Sequence, residues 1–105
     1  MKKRLILPLK RKWFEMIKSG VKPEEYREDT PYWRKRLTTH VVDDFDRYKE
    51  YDEVEFTLGY PRKDDASRRM VFSNPKIQYD FYGRAKQAWR AEKGKRYFII
   101  TWDKN

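Results

Sequence analysis

The sequence contains no cysteine. That excludes a disulfide framework and a thiolate zinc site, and it suits a reducing compartment, with the cytoplasm as the expected location. His40 is the only histidine, so no site needing two imidazole ligands can form, and His40 itself reads as a surface residue. Four glycines are scattered along the chain and supply neither a phosphate loop nor a dinucleotide-binding pattern. Long apolar runs are also missing. Tyr97 to Trp102 falls far short of the roughly 20 residues that span a bilayer, while Leu5 to Leu9 is interrupted by Pro8 and lacks a small-residue cleavage site. The expectation is a protein neither exported nor anchored, with no membrane partner.

Charge and aromatic rings are plentiful. The 105 residues carry 26 Lys and Arg against 17 Asp and Glu, for a net +9, and 17% of them are aromatic. This length favours one domain spanning residues 1–105 with one modest core. That core must draw heavily on Trp, Tyr and Phe, each of which buries a large area. The charge is uneven. Residues 1–40 hold 12 basic and 5 acidic groups, residues 41–60 hold 2 and 7, and residues 61–105 hold 12 and 5. A fold that unites the two basic blocks would present one cationic face, of the kind that binds a phosphate backbone by releasing counterions. The competing reading is a basic surface that serves only solubility, although so high a charge is repulsive within a compact domain.

Periodicity places the elements. Arg4 to Leu9 reads as a buried strand, and Trp13, Phe14, Met16 and Ile17 recur at helical spacing over about Arg11 to Ser19, with Gly20 placed to end the helix. A strand starting after Pro23 puts Glu25, Arg27 and Asp29 on one side and Glu24, Tyr26 and Glu28 on the other. Thr30 followed by Pro31 marks a helix start, with Trp33 and Leu37 as anchors. Thr38 to Tyr51 shows no clear period and reads as a connection. Asp52 to Leu58 alternates as a half-buried strand, with Val54, Phe56 and Leu58 inward and Glu53, Glu55 and Thr57 outward. A loop over Tyr60 to Arg68 leads to strands at Arg69 to Ser73 and Lys76 to Tyr82. Arg84 to Lys93 has a helical look, and Tyr97 to Trp102 supplies the last strand. The pattern predicts an α+β fold, a small mixed β-barrel of five to six strands with two or three short helices.

The run Leu5-Ile6-Leu7-Pro8-Leu9-Lys10, then Trp13-Phe14 and Ile17, then Gly20-Val21-Lys22-Pro23-Glu24-Glu25-Tyr26-Arg27 resembles the opening of the ASCH domain family. That family's signature is G-x-K-x-x-E-x-R, filled here by Gly20, Lys22, Glu25 and Arg27. Phe56 to Tyr60, Arg69 to Phe72 and Tyr97 to Ile100 also resemble its strands, so the likeness covers nearly the whole chain. The resemblance implies a PUA-like barrel with a cleft lined by the signature residues, RNA or a nucleotide-like anion as partner, and no cofactor. Some members of the family are similar to ribonucleases, and one branch hydrolyses an acetylated cytidine with the motif lysine and a threonine. This chain has Glu25 where that threonine stands, and the branch's further glutamate has no evident counterpart.

The residues also have a reading of their own. Lys10 at a strand end, Lys22 in a turn and Arg27 on the next strand are placed to converge on an anion, with Arg27 offering a bidentate fork. Glu25 either fixes Arg27 or meets a base or ribose hydroxyl; alternatively the two are an ion pair with no further role. Tyr60 and Arg62 are candidates for stacking and phosphate contact, or else a solvated turn. In an enzyme, a metal-independent ribonuclease or modified-nucleoside hydrolase, Lys22 would be the reactive group and Glu25 its acid or base, provided the Lys22 pKa is lowered. Asp43, Asp44 and Asp46 read as solvated rather than as a magnesium site, so no metal is expected. A third reading has the acidic stretch Asp43 to Glu55 docking a basic protein. Oligomeric state is not legible.

Overall fold

A computed structural model of the chain describes residues 2–39 and 47–103. Strand β1 (Arg4–Leu9) leads into α1 (Arg11–Lys18), and β2 (Glu25–Glu28) into α2 (Pro31–Leu37). Two-residue strands β3 (Thr38–Thr39) and β4 (Arg47–Tyr48) precede β5 (Glu53–Leu58), β6 (Arg69–Ser73), β7 (Lys76–Tyr79) and β8 (Tyr97–Thr101). Single 3-10 turns sit at Ala66–Arg68 and Gln87–Trp89. His40 and the Asp43, Asp44, Asp46 group lie outside the described residues. Among the described residues there is no cluster of three or more metal-ligating side chains, and no helix is long and apolar enough to cross a membrane.

The helix boundaries follow local chemistry. Thr30 is extended, and its hydroxyl accepts a hydrogen bond from the Trp33 N–H at 3.3 Å, satisfying one of the free donors of the first turn of α2. Pro31 at the first helical position has no N–H to leave unpaired. At the end of α1, Gly20 takes the left-handed conformation at φ +83°, which favours glycine. The chain then doubles back so that the Lys22 N–H donates to the Met16 carbonyl at 3.0 Å.

Three sheets result, with strand orders β1-β5-β6, β2-β8-β7 and β3-β4. The β1–β5 pair is parallel, with Leu5 opposite Val54 and Leu7 opposite Phe56, and the other pairs are antiparallel. Inward-facing Leu5, Leu7 and Leu9 of β1 meet Phe14 and Ile17 of α1, with Leu37 of α2 beside them. Val54 and Phe56 of β5 complete this core with Phe98 and Ile100 of β8. Each such side chain contributes about 1.5–3 kcal/mol by leaving water. The fold is thus a small α+β arrangement with mixed strand directions. No described ladder joins the two three-stranded sheets, so the expected barrel is open. One cause is visible where β1 faces β2. Pro8 has no N–H to offer a neighbouring strand, and its carbonyl instead accepts from the Arg27 guanidinium at 2.9 Å.

Four segments differ from the pattern in the sequence: the Thr38 to Tyr51 connection contains the β3–β4 pair and the strand expected over Lys76 to Tyr82 ends at Tyr79, so eight strands form among the described residues where five to six were expected, and β5 and Arg84 to Lys93 differ as well. Glu55 and Thr57 of β5 are buried along with Val54 and Phe56. This strand is central, and Arg4 and Arg69 from its two neighbours close over Glu55 at 3.1 and 2.9 Å. The helical look of Arg84 to Lys93 yields only the Gln87–Trp89 turn. Its leading amides are taken by tertiary partners: Arg84 and Ala85 donate to the buried Asp80 carboxylate, and Lys86 donates to the Tyr26 hydroxyl. Such bonds suit a helix start, whose first amides need outside acceptors; the turn stops because Arg90 takes φ +92°, outside the right-handed helical region.

Candidate functional site: a buried ion-pair chain beneath a cationic cleft

Alternation along β2 puts Glu25 and Arg27 on one face, and the turn after Gly20 brings Lys22 against them. Glu25 Oε1 accepts from Lys22 Nζ at 2.5 Å, and Oε2 accepts from the Arg27 guanidinium at 2.7 Å. The Lys22 and Glu25 side chains are both 0% exposed, and that of Arg27 is 12% exposed. Lys22 Nζ also lies 4.7 Å from the centroid of the Trp13 ring, a favourable cation–π position. Burial pushes the Lys22 pKa down, opposed by the Glu25 carboxylate and helped by Arg90 and Arg27. Burial likewise lowers that of Arg27, again against the pull of Glu25.

Lys22, Glu25 and Arg27 therefore form one chain, with a placement that corrects the sequence expectation. Lys22 and Glu25 do not face a cleft. They are sealed beneath it because both oxygens of Glu25 are committed to internal cations, and Trp13 covers the lysine. The Glu25 carboxylate has no oxygen left for a base edge without breaking one of these bonds, and Lys22 reaches no substrate while the pair is closed. Arg27 alone of the three reaches the open surface.

Above this chain are two adjoining concavities of about 520 and 560 Å³. Pro8, Arg27 and Tyr60 line both. The first lies between α2 and the outer face of the β1-β5-β6 sheet, where Arg36 and Arg69 join Arg27 beside Tyr32 and Trp33. The second is bordered by Lys10, Arg11, Arg68 and Arg90 around Gly59. Among the described residues no carboxylate lines either one. Arg69, Arg68 and Arg11 have acidic partners in Glu55, Asp65 and Glu15, whereas Lys10, Arg36 and Arg90 have no ion pair among the described residues. Arg90 adopts φ +92°, a strained conformation for a residue with a side chain.

Of the residues singled out by sequence, Lys10 and Tyr60 stand at the cleft, and Tyr60 is 91% exposed. Arg62 lines neither concavity; its side chain is in solvent, and its backbone carbonyl accepts from Arg69 at 2.9 Å. Arg36, Arg69 and Arg90 carry no motif, and only the fold brings them to Arg27. Three carboxylates from the described part of the acidic stretch are used within the protein. Asp52 accepts from the Lys3 N–H, and Glu53 and Glu55 pair with Arg4. Comparison with protein-family models, curated proteins and solved structures finds no match for this chain.

Proposed function

We propose that the protein is an RNA- or nucleotide-binding domain of the ASCH type, related to the PUA-like barrels, and that it engages its ligand through the cleft above Glu25. The observation that carries this reading is the lining of the two concavities. Basic side chains from β2, α1, α2, β6, the Ala66–Arg68 turn and two loops converge there, an exposed tyrosine stands between them, and no carboxylate of the described residues intervenes. Such a surface attracts phosphate oxygens, and the free face of Tyr60 suits an unpaired base. In this reading Arg27 is the contact residue of the signature, held in place by Glu25, while Lys22 neutralises the second oxygen of that carboxylate. Lys22 and Glu25 are positioning residues, in keeping with their burial, and the protein acts by binding.

The test is a salt titration of the affinity for a short fluorescent single-stranded RNA. Affinity should fall with salt, and Lys10→Gln should reduce the logarithmic slope by about 0.7, one phosphate contact on a single strand. Tyr60→Ala should weaken binding by about 1–3 kcal/mol, as loss of one base-stacking ring does. Absence of salt-dependent binding at low ionic strength removes the proposal.

A further inference from the structure

We infer that the concavity beneath α2 is a second anion subsite, so that the cleft takes an unpaired polynucleotide strand through two consecutive phosphates rather than a lone mononucleotide. This rests on the nucleotide-binding reading above and deepens it.

Three guanidinium groups from three separate elements meet at this concavity: Arg27 from β2, Arg36 from α2 and Arg69 from β6. In each of them Nε is buried and has no hydrogen-bond partner among the described residues. These Nε atoms are closed to solvent, so a ligand in the hollow would meet the terminal guanidinium nitrogens instead. Part of the donor capacity is used internally. One Arg27 nitrogen donates to Glu25 and the Pro8 carbonyl, while Arg69 donates to Glu55 and to the carbonyls of Pro61 and Arg62. Among the described residues the Arg36 side chain has no such bond, and the rings of Tyr32 and Trp33 flank it at 5.4 and 5.6 Å. Its terminal nitrogens remain for an oxyanion.

The same contacts decide what does not bind there. Arg27 and Arg36 lie 4.9 and 5.6 Å from the Trp33 centroid, so that ring serves the arginines rather than a base. Tyr60 carries no such cover and borders both hollows. The order across the surface is cationic hollow, bare aromatic ring, cationic hollow. A base held on Tyr60 would have a phosphate to either side. Bases inside a duplex are stacked on their neighbours and do not offer a face to a protruding ring, so the strand that fits is unpaired.

The experiment compares adenosine monophosphate with the dinucleotide pApA by calorimetry over a range of salt, using the full chain and the Arg36→Gln and Arg36→Lys variants. Thermal melts check the fold of each. For the unmodified protein, pApA should bind at least about tenfold tighter than the mononucleotide, with a salt slope steeper by about 0.7. Arg36→Gln should abolish this gain in slope, and Arg36→Lys should keep it because the charge is retained. Equal slopes for the two probes, or a gain that survives in Arg36→Gln, overturn the second subsite while leaving nucleotide binding intact. Failure of both probes to bind at low salt overturns both. A paired RNA that binds as tightly as the unpaired strand, with no loss in Tyr60→Ala, overturns the single-strand assignment.

Discussion

Glu25→Gln tests the buried chain most directly, because it keeps the shape of the side chain and removes only its charge. Lys22 then has no counterion inside the protein, and it faces Arg27 across a neutral amide. The size of the effect follows from burial. An exposed pair is worth about 0.2–1 kcal/mol, whereas removing one partner of a buried pair costs about 3–5 kcal/mol because an uncompensated charge is left behind. The 0% exposure of both side chains puts this pair in the second class. With a urea dependence of about 2 kcal/mol per molar, the midpoint should fall by roughly 2 M. The deficit should also depend on pH. Burial lowers the Lys22 pKa against the pull of Glu25, and without that pull it falls further. Between the folded value and the unfolded value near 10.4, the unfolded chain binds the extra proton, so the stability of the variant rises with pH through that window. Lys22→Met leaves Glu25 paired with Arg27 and should cost less than Glu25→Gln. Urea titrations from pH 6 to pH 10 measure all of this. A deficit below about 1 kcal/mol at pH 7 would show that water screens the pair and that the assignment of Glu25 as a buried support is mistaken.

Two further perturbations probe the scaffold around the site. Thr30→Ala removes the hydroxyl that caps α2 and should cost about 1 kcal/mol in the same denaturation assay, whereas Thr30→Ser should recover most of it. The Asp29 carboxylate is raised by burial but held below its ordinary value overall by hydrogen bonds from Arg34 and Tyr79. Its stabilisation is therefore fully present above the unfolded value near 3.9 and is lost as pH falls through the lower folded value. Asp29→Asn should flatten the acid limb of the stability curve below about pH 4, and an unchanged limb would contradict the arrangement.

The distribution of charge gains a physical meaning in the folded chain. β5, which carries Glu53 and Glu55 of the acidic middle segment, lies between β1 and β6, drawn from the two basic blocks. Glu53 and Glu55 are spent neutralising Arg4 and Arg69 across the strands. Glu53 and Glu55 thus face their own sheet, while Lys10, Arg36 and Arg90 stand at the cleft without an ion pair among the described residues. The field there is set by Lys10, Arg36 and Arg90 more than by the formal net charge. For a ligand approaching from solution, this is the arrangement that steers anions toward one side of the molecule.

Much of the local structure could be read directly from the order of residues. The apolar run of β1, the helical spacing of Trp13, Phe14 and Ile17, and the Thr30-Pro31 start of α2 are signals within a few residues, and each depends on backbone preference or a neighbouring side chain. The shared face of Glu25 and Arg27 follows from strand alternation in the same way. The helical spacing of Arg84 to Lys93 yields only one turn, because Arg90 takes φ +92° directly after Trp89 and leaves the right-handed helical region.

The sequence by itself determined that this protein is strongly cationic, rich in rings, without thiolate chemistry, and provided with a Lys, a Glu and an Arg within one turn and strand. Which of those three meets solvent was decided only by tertiary structure. A carboxylate has two oxygens and takes two cations, and the packing of Trp13 and β1 determines that Lys22 is enclosed and Arg27 is not. The gathering of Arg36, Arg69 and Arg90 around Arg27 is likewise a property of the fold, because residues so far apart in sequence become neighbours only when the sheet and α2 are in place.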